Sequence, residues 1–453
     1  MSLFRPSLES SPSAAPAEAV PPVAGSPDTE VRIQRTSEIL GEAVMDSVSS
    51  VRDSLPEQYR AHFETLRQEI IDFTKAHGIP KESLSKPDLL REVTCKLSTQ
   101  DLERLALLLE RFKHLLIYHE LKKEEIDPAK AIEYAEEHYH LCEQYDSQVS
   151  LLEQVGILKE GAITGIDGHE YPVPTLEQIA SRIFECREIL ETKHDQGFTK
   201  LLLVPFGMSL DALTDALKQF LLKYKKDNPT FNLDTDNPLF VLIGYQRADI
   251  GDSPDLVYYP QSFDRYNHQG KTKMEILKEQ SKGRWAPAST GVAGEKGLGT
   301  PGWTVHLLQP SNLDDQDTET PIGFSSIPRQ GQGALQEDEN HRPPLESGKT
   351  PIEYLSILQK AQDDEDSPYH GETGTTPEDW ITAFMIHLSE TGKPMDNWRN
   401  SKESTFYLTG VFFRFSSRVP CVFWDRGNRR AGLSGVGPHA RDEYIGLRSS
   451  VMI

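Results

Sequence analysis

The segment VPCVFWDRGNRRAGLSGVGPHARDEYIGLRSSV, residues 419–451, mixes aromatic, Arg, Gly and His residues between apolar ones and contains no Lys. From Thr405 to Ile453, seven arginines stand against three acidic residues, whereas the whole chain has a formal net charge of -22. Tyr, Trp and Arg are the residues that dominate binding hot spots. The composition therefore predicts a binding surface. The alternative is that these residues are only the last strands and loops of a domain.

The order of residues in this segment resembles the tails of the variable proteins that diversity-generating retroelements diversify. Gly446-Leu447-Arg448 matches the closing G-[FVLA]-R strand of that family. The resemblance implies a C-type-lectin fold related to formylglycine-generating-enzyme-like domains, over residues 301–453, with a variable region at about 411–451. The skeleton that carries the resemblance consists of Val419, Pro420, Trp424, Arg426, Arg430, Ala431, Leu433, Gly446, Arg448 and Val451.

The resemblance also implies which side chains vary and which are fixed. Variable side chains are expected to face solvent, whereas Trp424, Leu433 and Val451 are expected to pack inward. The implied scaffold residues are Trp424, Arg426, Leu433, Gly446 and Arg448. The implied ligand-binding, variable residues are Phe415, Cys421, Val422, Phe423, Asp425, Gly427, Asn428, Gly432, Ser434, Val436, His439, Arg441, Asp442 and Tyr444.

The residue types in the variable region fit this family's mechanism of diversification. Mutagenesis directed at adenines turns AAY codons into NNY codons, which cannot encode Lys, Glu, Gln, Met or Trp. Residues 411–451 contain no Lys, Gln or Met, and the two exceptions to the rule are Trp424 and Glu443. The resemblance therefore implies that these two positions are fixed.

The resemblance implies a ligand-binding protein without a cofactor or a metal, whose partner is a variable protein or surface ligand. The catalytic relatives in the formylglycine-generating family hold copper with a pair of cysteines. Here Cys421 is the only cysteine after Cys186, so we do not expect an enzyme. Two alternatives stay open: an enzyme of that family, or a structural or interaction protein that acts through its helical N-terminal half.

The stretch TPEDWITAFMIHLSETG, residues 376–392, predicts a helix with clear signals at both ends. Thr376 is placed to cap its first turn, and Pro377 has the fixed φ angle that suits the first helical position. Gly392 is typical of the residue that ends a helix. Short strands are predicted after this helix, from TFYLTGVFFRF onward.

Residues 161–300 are predicted to form a small α/β region. The apolar run FTKLLLVPFG (198–207) predicts a buried strand, Ser209 a helix cap, and PLFVLIGY (238–245) a second strand. A strand, a helix and a strand in this order favour a βαβ unit with two parallel strands.

The first part of the chain is predicted to contain no sheet. Residues 1–30 are rich in Pro, Ala and Ser and are expected to form a disordered leader. Residues 31–160 are expected to be helical, including an amphipathic helix that begins at Ser98. These helices are a possible site of homo-oligomerisation. The expected fold class is thus mixed α+β and multidomain.

Composition and short motifs argue against several classes of function. A net charge of -22 argues against general binding to nucleic acid. No run of about 18 apolar residues is present, so no membrane span is expected. The four cysteines form no CxxC pair, and GLGTPG (297–302) lacks the preceding strand that a dinucleotide site needs. Without a signal peptide, a cytoplasmic location is the default expectation.

Overall fold

The structure is a computed structural model that describes residues 57–79, 101, 104, 108, 127–281, 300–313, 320–333, 342–362, 364, 366–398 and 404–453. The chain divides into two compact units, residues 1–124 and 125–453. The first contains helix α1, Glu57–Ala76, which buries Phe63, Leu66 and Ile70. The predicted leader and most of the helix predicted from Ser98 lie outside the described residues.

The second unit is mixed α+β. Its described helices are α2 Pro128–Tyr139, α3 Leu141–Gln154, α4 Leu176–Glu185, α5 Arg187–Asp195, α6 Leu210–Asp227, α7 Lys273–Gln280, α8 Pro351–Gln362 and α9 Pro377–Thr391. Its described strands are β1 Ala162–Thr164, β2 Glu170–Pro172, β3 Lys200–Val204, β4 Leu239–Val241, β5 Leu256–Tyr258, β6 Thr304–Leu308, β7 Glu372–Gly374, β8 Asn397–Trp398, β9 Thr405–Tyr407, β10 Val411–Phe413, β11 Val419–Asp425, β12 Arg430–Val436, β13 Ile445–Gly446 and β14 Ser449–Met452.

Helix α9 has the two ends that the sequence predicts. The Thr376 side chain accepts a hydrogen bond from the N–H of Asp379, and the Asp379 side chain accepts one from the N–H of Thr376. Gly392 adopts the left-handed conformation, with φ at 70°, and closes the helix. Every residue from Pro377 to Leu388 is buried, so α9 lies in the interior and packs against α6 and β3.

Two sheets form the frame around α9. One has the order β3-β6-β14-β7, and all its pairs are antiparallel. The other has the order β13-β9-β11-β12-β4, with β8 beside the end of β11. A single hydrophobic core receives side chains from both sheets and extends from Ala131 to Ile453. The domain boundaries expected after residues 160 and 300 stay predictions.

The predicted βαβ unit is wrong. Strand β3 pairs antiparallel with β6, whereas β4 pairs parallel with β12 in the other sheet. All five residues of β3 are buried, and so are all five residues of its partner β6. The three residues of β4 are only half-buried, which suits the edge of a sheet. Both strands are apolar, and hydrophobicity alone does not specify their partners.

Among the described residues, no helix combines the length and the apolar character that crossing a lipid bilayer requires.

Candidate functional site

Strands β11 and β12 form an antiparallel hairpin that contains many of the predicted variable residues. Its register pairs Cys421 with Ser434, Phe423 with Gly432 and Asp425 with Arg430. Residues directly opposite each other in such a pair point to the same side, and successive residues alternate between sides. The hairpin therefore has two faces with different residues.

One side of the hairpin, the core face, consists of Val422, Trp424, Ala431 and Leu433. All four residues are buried and belong to the main hydrophobic core. The Trp424 ring lies 5.5 Å from that of Phe231. The inward packing expected for Trp424 and Leu433 is observed, and Val451 is buried as well.

The opposite side, the outer face, consists of six predicted variable residues together with Val419 and Arg430. The six follow from the register: Cys421, Phe423, Asp425, Gly432, Ser434 and Val436. No predicted scaffold residue of β11 or β12 lies on this face. The alternation thus places Trp424 and Leu433 opposite most of the variable residues of the hairpin, although Val419 and Arg430, which belong to the skeleton of the resemblance, share the outer face.

Half of the outer face is covered by other parts of the chain. Cys421 packs in a small apolar cluster with Tyr354 of α8, Tyr407 of β9 and Ile445, and Val436 lies against this cluster. The Tyr407 hydroxyl is 3.4 Å from the carbonyl oxygen of Ala440, so the loop 437–444 crosses above it. Burial raises the pKa of the Cys421 thiol to about 12.

The other half of the outer face is only partly covered and is rich in aromatic rings. The Phe423 ring lies over Gly432, where a Cβ atom would come within 2.4 Å of it. Trp398 of β8 lies beside Phe423, with 5.8 Å between the ring centroids. On the far side, Arg430 stacks over Phe240 of β4 at 5.2 Å. We call Phe240, Trp398, Phe423 and Arg430 the aromatic patch.

The turn that joins β11 to β12 is held by the Asp425 carboxylate. This carboxylate accepts hydrogen bonds from the N–H groups of Gly427 and Asn428 and from the Asn428 side chain. Burial would raise the pKa of Asp425, but these hydrogen bonds, chiefly from Asn428, outweigh it and lower the pKa. Arg426, Gly427 and Asn428 are exposed, so the turn combines fixed backbone with accessible side chains.

A second exposed group of rings lies at the turn between β10 and β11. Phe415 is 47% exposed there, and its N–H donates to the Asp255 carboxylate. Arg414 and Arg265 stack over the Phe415 ring at 4.7 and 5.4 Å, and Arg265 also lies over the exposed Tyr266.

The loop 437–444 contains the remaining predicted variable residues. His439 and Arg441 are exposed, and Arg441 forms an ion pair of 2.6 Å with Glu353 of α8. Asp442 accepts a hydrogen bond from the N–H of Tyr444. Tyr444 is 39% exposed, and Arg329 stacks over its ring at 4.1 Å.

The predicted scaffold residues after the hairpin are built into the interior. Arg448 forms a buried ion pair with Asp396 and donates to the carbonyl oxygen of Ser325. A Cβ atom at Gly446 would lie 2.4 Å from the Ile327 side chain, so the backbone approaches closely there.

Four of the residues expected to face solvent are buried. Val422 lies on the core face, because residues two apart in a strand point to the same side and Trp424 points inward. Cys421 is covered by α8, and Gly432 is covered by the Phe423 ring. The Asp425 side chain accepts hydrogen bonds within its own turn. A second packing layer thus buries positions that strand alternation alone would expose.

No role was predicted from the sequence for Phe240, Trp398, Arg265 or Tyr266. Each lies outside residues 411–451 and reaches this surface through strand pairing or loop packing. A single aromatic residue in a short strand is not a signal by itself, so no local pattern indicates these positions.

Among the residues that the structure describes, no group of three or more His, Cys, Asp or Glu is placed to hold a metal ion. No protein-family model, no curated protein and no solved structure matches the chain.

Proposed function

We propose that the chain is a non-catalytic binding protein whose C-terminal unit displays interchangeable side chains on a rigid sheet for the recognition of protein surfaces. The observation that carries the proposal is the two-sided hairpin. Six predicted variable residues share its outer face, whereas Trp424 and Leu433 anchor its core face. Phe423 and Ser434 are only half-buried on the outer face, so their side chains can change without emptying that core.

The chemistry of the aromatic patch supports a protein partner. Phe240, Trp398 and Phe423 are half-buried rings that still offer apolar area, and Arg430 adds donors at their border. Aromatic and Arg side chains contribute most of the free energy of binding in protein interfaces. A partner that presents an apolar side chain next to a carboxylate would complement this patch.

The hairpin is paired along both of its edges, and a preformed surface favours binding. Strand β11 is paired on one side with β12 and on the other with β8 and β9, while β12 also pairs with β4. A preformed surface loses less conformational entropy on binding than a flexible loop does. The Asp425 hydrogen bonds extend this order into the turn at its tip.

The buried Cys421 thiol is a packing contact of the outer face, not a displayed side chain. The thiolate is the nucleophilic form of cysteine. With the pKa of Cys421 raised to about 12, this side chain stays protonated at neutral pH. Its place on β11 is therefore that of a packing residue.

The proposal includes a C-type-lectin-like fold for the C-terminal part and diversification by a retroelement. Support comes from residues 411–451, whose only residue types outside the NNY codon set are Trp424 and Glu443. The genetic test is to sequence the DNA around the gene. A near-copy of the codons for residues 411–451 that differs only at adenines is expected, together with a reverse transcriptase gene.

The physical test compares two libraries of variants. In the first, Phe415, Phe423, Asn428 and Ser434 are randomised together. In the second, the core-face residues Val422 and Leu433 are randomised. Most members of the first library should keep a cooperative thermal transition within about 5 °C of the parent. Most members of the second should lose it, because emptying a core position costs roughly 2–5 kcal/mol.

Selection for binding completes this test. The first library, displayed on phage, should yield binders to an arbitrary folded protein such as hen lysozyme, and each binder should lose affinity when the parent residues are restored. Equal loss of folding in both libraries, or no binders from a folded first library, would contradict the proposal. Truncation of the segment is not a suitable test, because β14 lies between β6 and β7 in its sheet.

A further inference from the structure

A cavity of about 510 Å³ lies behind the hairpin, on the side of the core face. Trp424 of β11, His387 near the end of α9, and the segment that follows α9 line it, and it is open to solvent. Its volume is within the range of sites that bind small molecules, about 300–1,000 Å³. The outer face of the hairpin lies on the opposite side of β11, so the cavity is separate from the proposed binding surface.

The charged groups of the cavity favour an anion. Arg426, Arg448 and Lys393 line it together with one carboxylate, Asp396. That carboxylate already has two partners: Arg448 donates to it at 2.8 Å, and the Trp380 indole donates to it at 2.9 Å. In a chain with a net charge of -22, this is a local excess of positive charge.

Two of these cations are available at the mouth of the cavity. Arg426 and Lys393 are exposed, and within the part of the chain that the structure describes neither side chain forms an ion pair or a hydrogen bond. Arg426 is held at the end of β11 by the ordered turn at Asp425. A cation that is positioned but not paired is suited to meet a charged ligand.

His387 supplies a neutral hydrogen-bond donor inside the cavity. Its Nδ1 accepts a hydrogen bond of 2.9 Å from the N–H of Phe324, so the ring proton is placed on Nε2. Nε2 has no hydrogen-bond partner among the described residues, although the side chain is only 8% exposed. Burial, and then the charge of Arg448, lower the pKa of His387 to about 4, so the ring stays neutral near pH 7.

The remaining wall of the cavity is mixed: Ser311, Ser326, Thr391 and Asn397 are polar, and the other part is apolar. Trp424, Phe324 and Met395 line that apolar part. Inorganic phosphate alone would leave these surfaces in contact with water. A ligand with an apolar body would cover them and gain the free energy of burying apolar area.

We propose that this cavity binds a small organic anion, with a phosphate or carboxylate group toward His387, Arg426 and Lys393 and an apolar body against Trp424. The shared chemistry is one anionic group on a ring-sized apolar body. Binding at this site does not depend on the side chains of the outer face, and so it does not depend on the proposed recognition of proteins.

The experiment is isothermal titration calorimetry of the full chain with four probes. Phenyl phosphate and benzoate each present an anionic group on a ring, inorganic phosphate lacks the ring, and benzyl alcohol lacks the charge. Phenyl phosphate or benzoate should bind at least about tenfold more tightly than the other two probes. The stronger of these two identifies the anionic group that the cavity prefers.

Variants test the place of binding. The double substitution Lys393→Gln and Arg426→Gln should weaken binding of the preferred probe about tenfold, because it removes both unpaired cations. Arg429→Gln is the matched control: it removes an exposed arginine from the same turn, outside the cavity lining, and should leave affinity within about twofold. Thermal unfolding of each variant verifies the fold.

Three results would overturn the proposal. The first is that none of the probes binds up to about 10 mM. The second is that the double variant, folded as the parent is, binds as tightly as the parent. The third is that benzyl alcohol binds as tightly as the anionic probes. If the outer-face library failed to recognise proteins, none of these three calorimetric results would change.

Discussion

Asp379 and His306 form a buried pair that links stability to pH at the level of single side chains. Asp379 Oδ1 lies 3.4 Å from His306 Nε2, and the side chains are 2% and 0% exposed. Burial raises the pKa of Asp379 to about 8 and lowers that of His306 to about 3. Between these values both groups are neutral, and neither Asp379 Oδ1 nor His306 Nε2 has a hydrogen-bond partner among the described residues.

The raised pKa of Asp379 gives a prediction with a definite sign. The stability that this group contributes is fully present below pH 3.8 and is lost as pH rises toward 8, since the unfolded chain releases the proton earlier. In Asp379→Asn, the amide is neutral at every pH, and its oxygen can still accept from the N–H of Thr376. The free energy of unfolding at pH 8 should therefore increase, by roughly 2 kcal/mol, with little change at pH 5.

Urea unfolding at pH 5 and pH 8 measures this difference. Asp252→Asn, at an exposed position, serves as the control and should change stability equally little at both values of pH. A variant Asp379→Asn that is less stable than the parent at pH 8 would show that the carboxyl group is ionised and paired in the folded state.

At the scale of elements, two glycines show how tightly strands are packed. A Cβ atom at Gly410, just before β10, would lie 2.4 Å from the carbonyl oxygen of Gly374 at the end of β7. A Cβ atom at Gly432 would also meet a neighbour at 2.4 Å, but that neighbour is the end of the Phe423 ring. Backbone cannot move away without breaking the pairing of its strand, whereas a side chain on the outer face can rotate.

The two Gly→Ala substitutions should therefore differ. Gly410→Ala should reduce the free energy of unfolding by roughly 2–3 kcal/mol, as overpacking of a fixed backbone does. Gly432→Ala should cost less than about 1 kcal/mol. Chemical denaturation of both variants gives the comparison. Gly432→Ala in a Phe423→Ala background should be close to neutral, and an unchanged cost there would mean that the ring is not the obstacle.

The elements that the sequence predicts best are those whose signals are local. Helix α9 could be predicted at both ends because Thr376, Pro377 and Gly392 act within one turn of the helix. The partner of β3 could not be predicted, because two apolar strands, β4 and β6, were equally suitable by composition. The hairpin has the same limit: alternation predicts its two faces, but the cover that α8 places over Cys421 is a long-range contact.

At the scale of the whole molecule, buried charges connect distant parts of the chain. Glu372 of β7 is fully buried and contacts Lys193 of α5 at 2.8 Å and Arg342 at 2.6 Å. It also accepts a hydrogen bond from Ser449 of β14. Burial would raise the pKa of Glu372, but Arg342 and then Lys193 outweigh it and lower the pKa. The stability from this cluster is therefore present at neutral pH and lost as pH falls through the folded pKa.

The substitution Glu372→Gln should destabilise the second unit far more than the loss of an exposed ion pair. It leaves Lys193 and Arg342 buried without a counter-charge, which costs roughly 3–5 kcal/mol. Glu353→Gln is the matched control: it removes the exposed pair with Arg441 while Gln still accepts from the N–H of Thr350, and it should change stability far less than Glu372→Gln. Urea unfolding at pH 7 compares them, and equal costs would mean that water solvates the Glu372 cluster. Glu372, Arg342 and Ser449 join β7 to β14. A large cost would therefore also show that contacts outside the hairpin stabilise the segment that contains it.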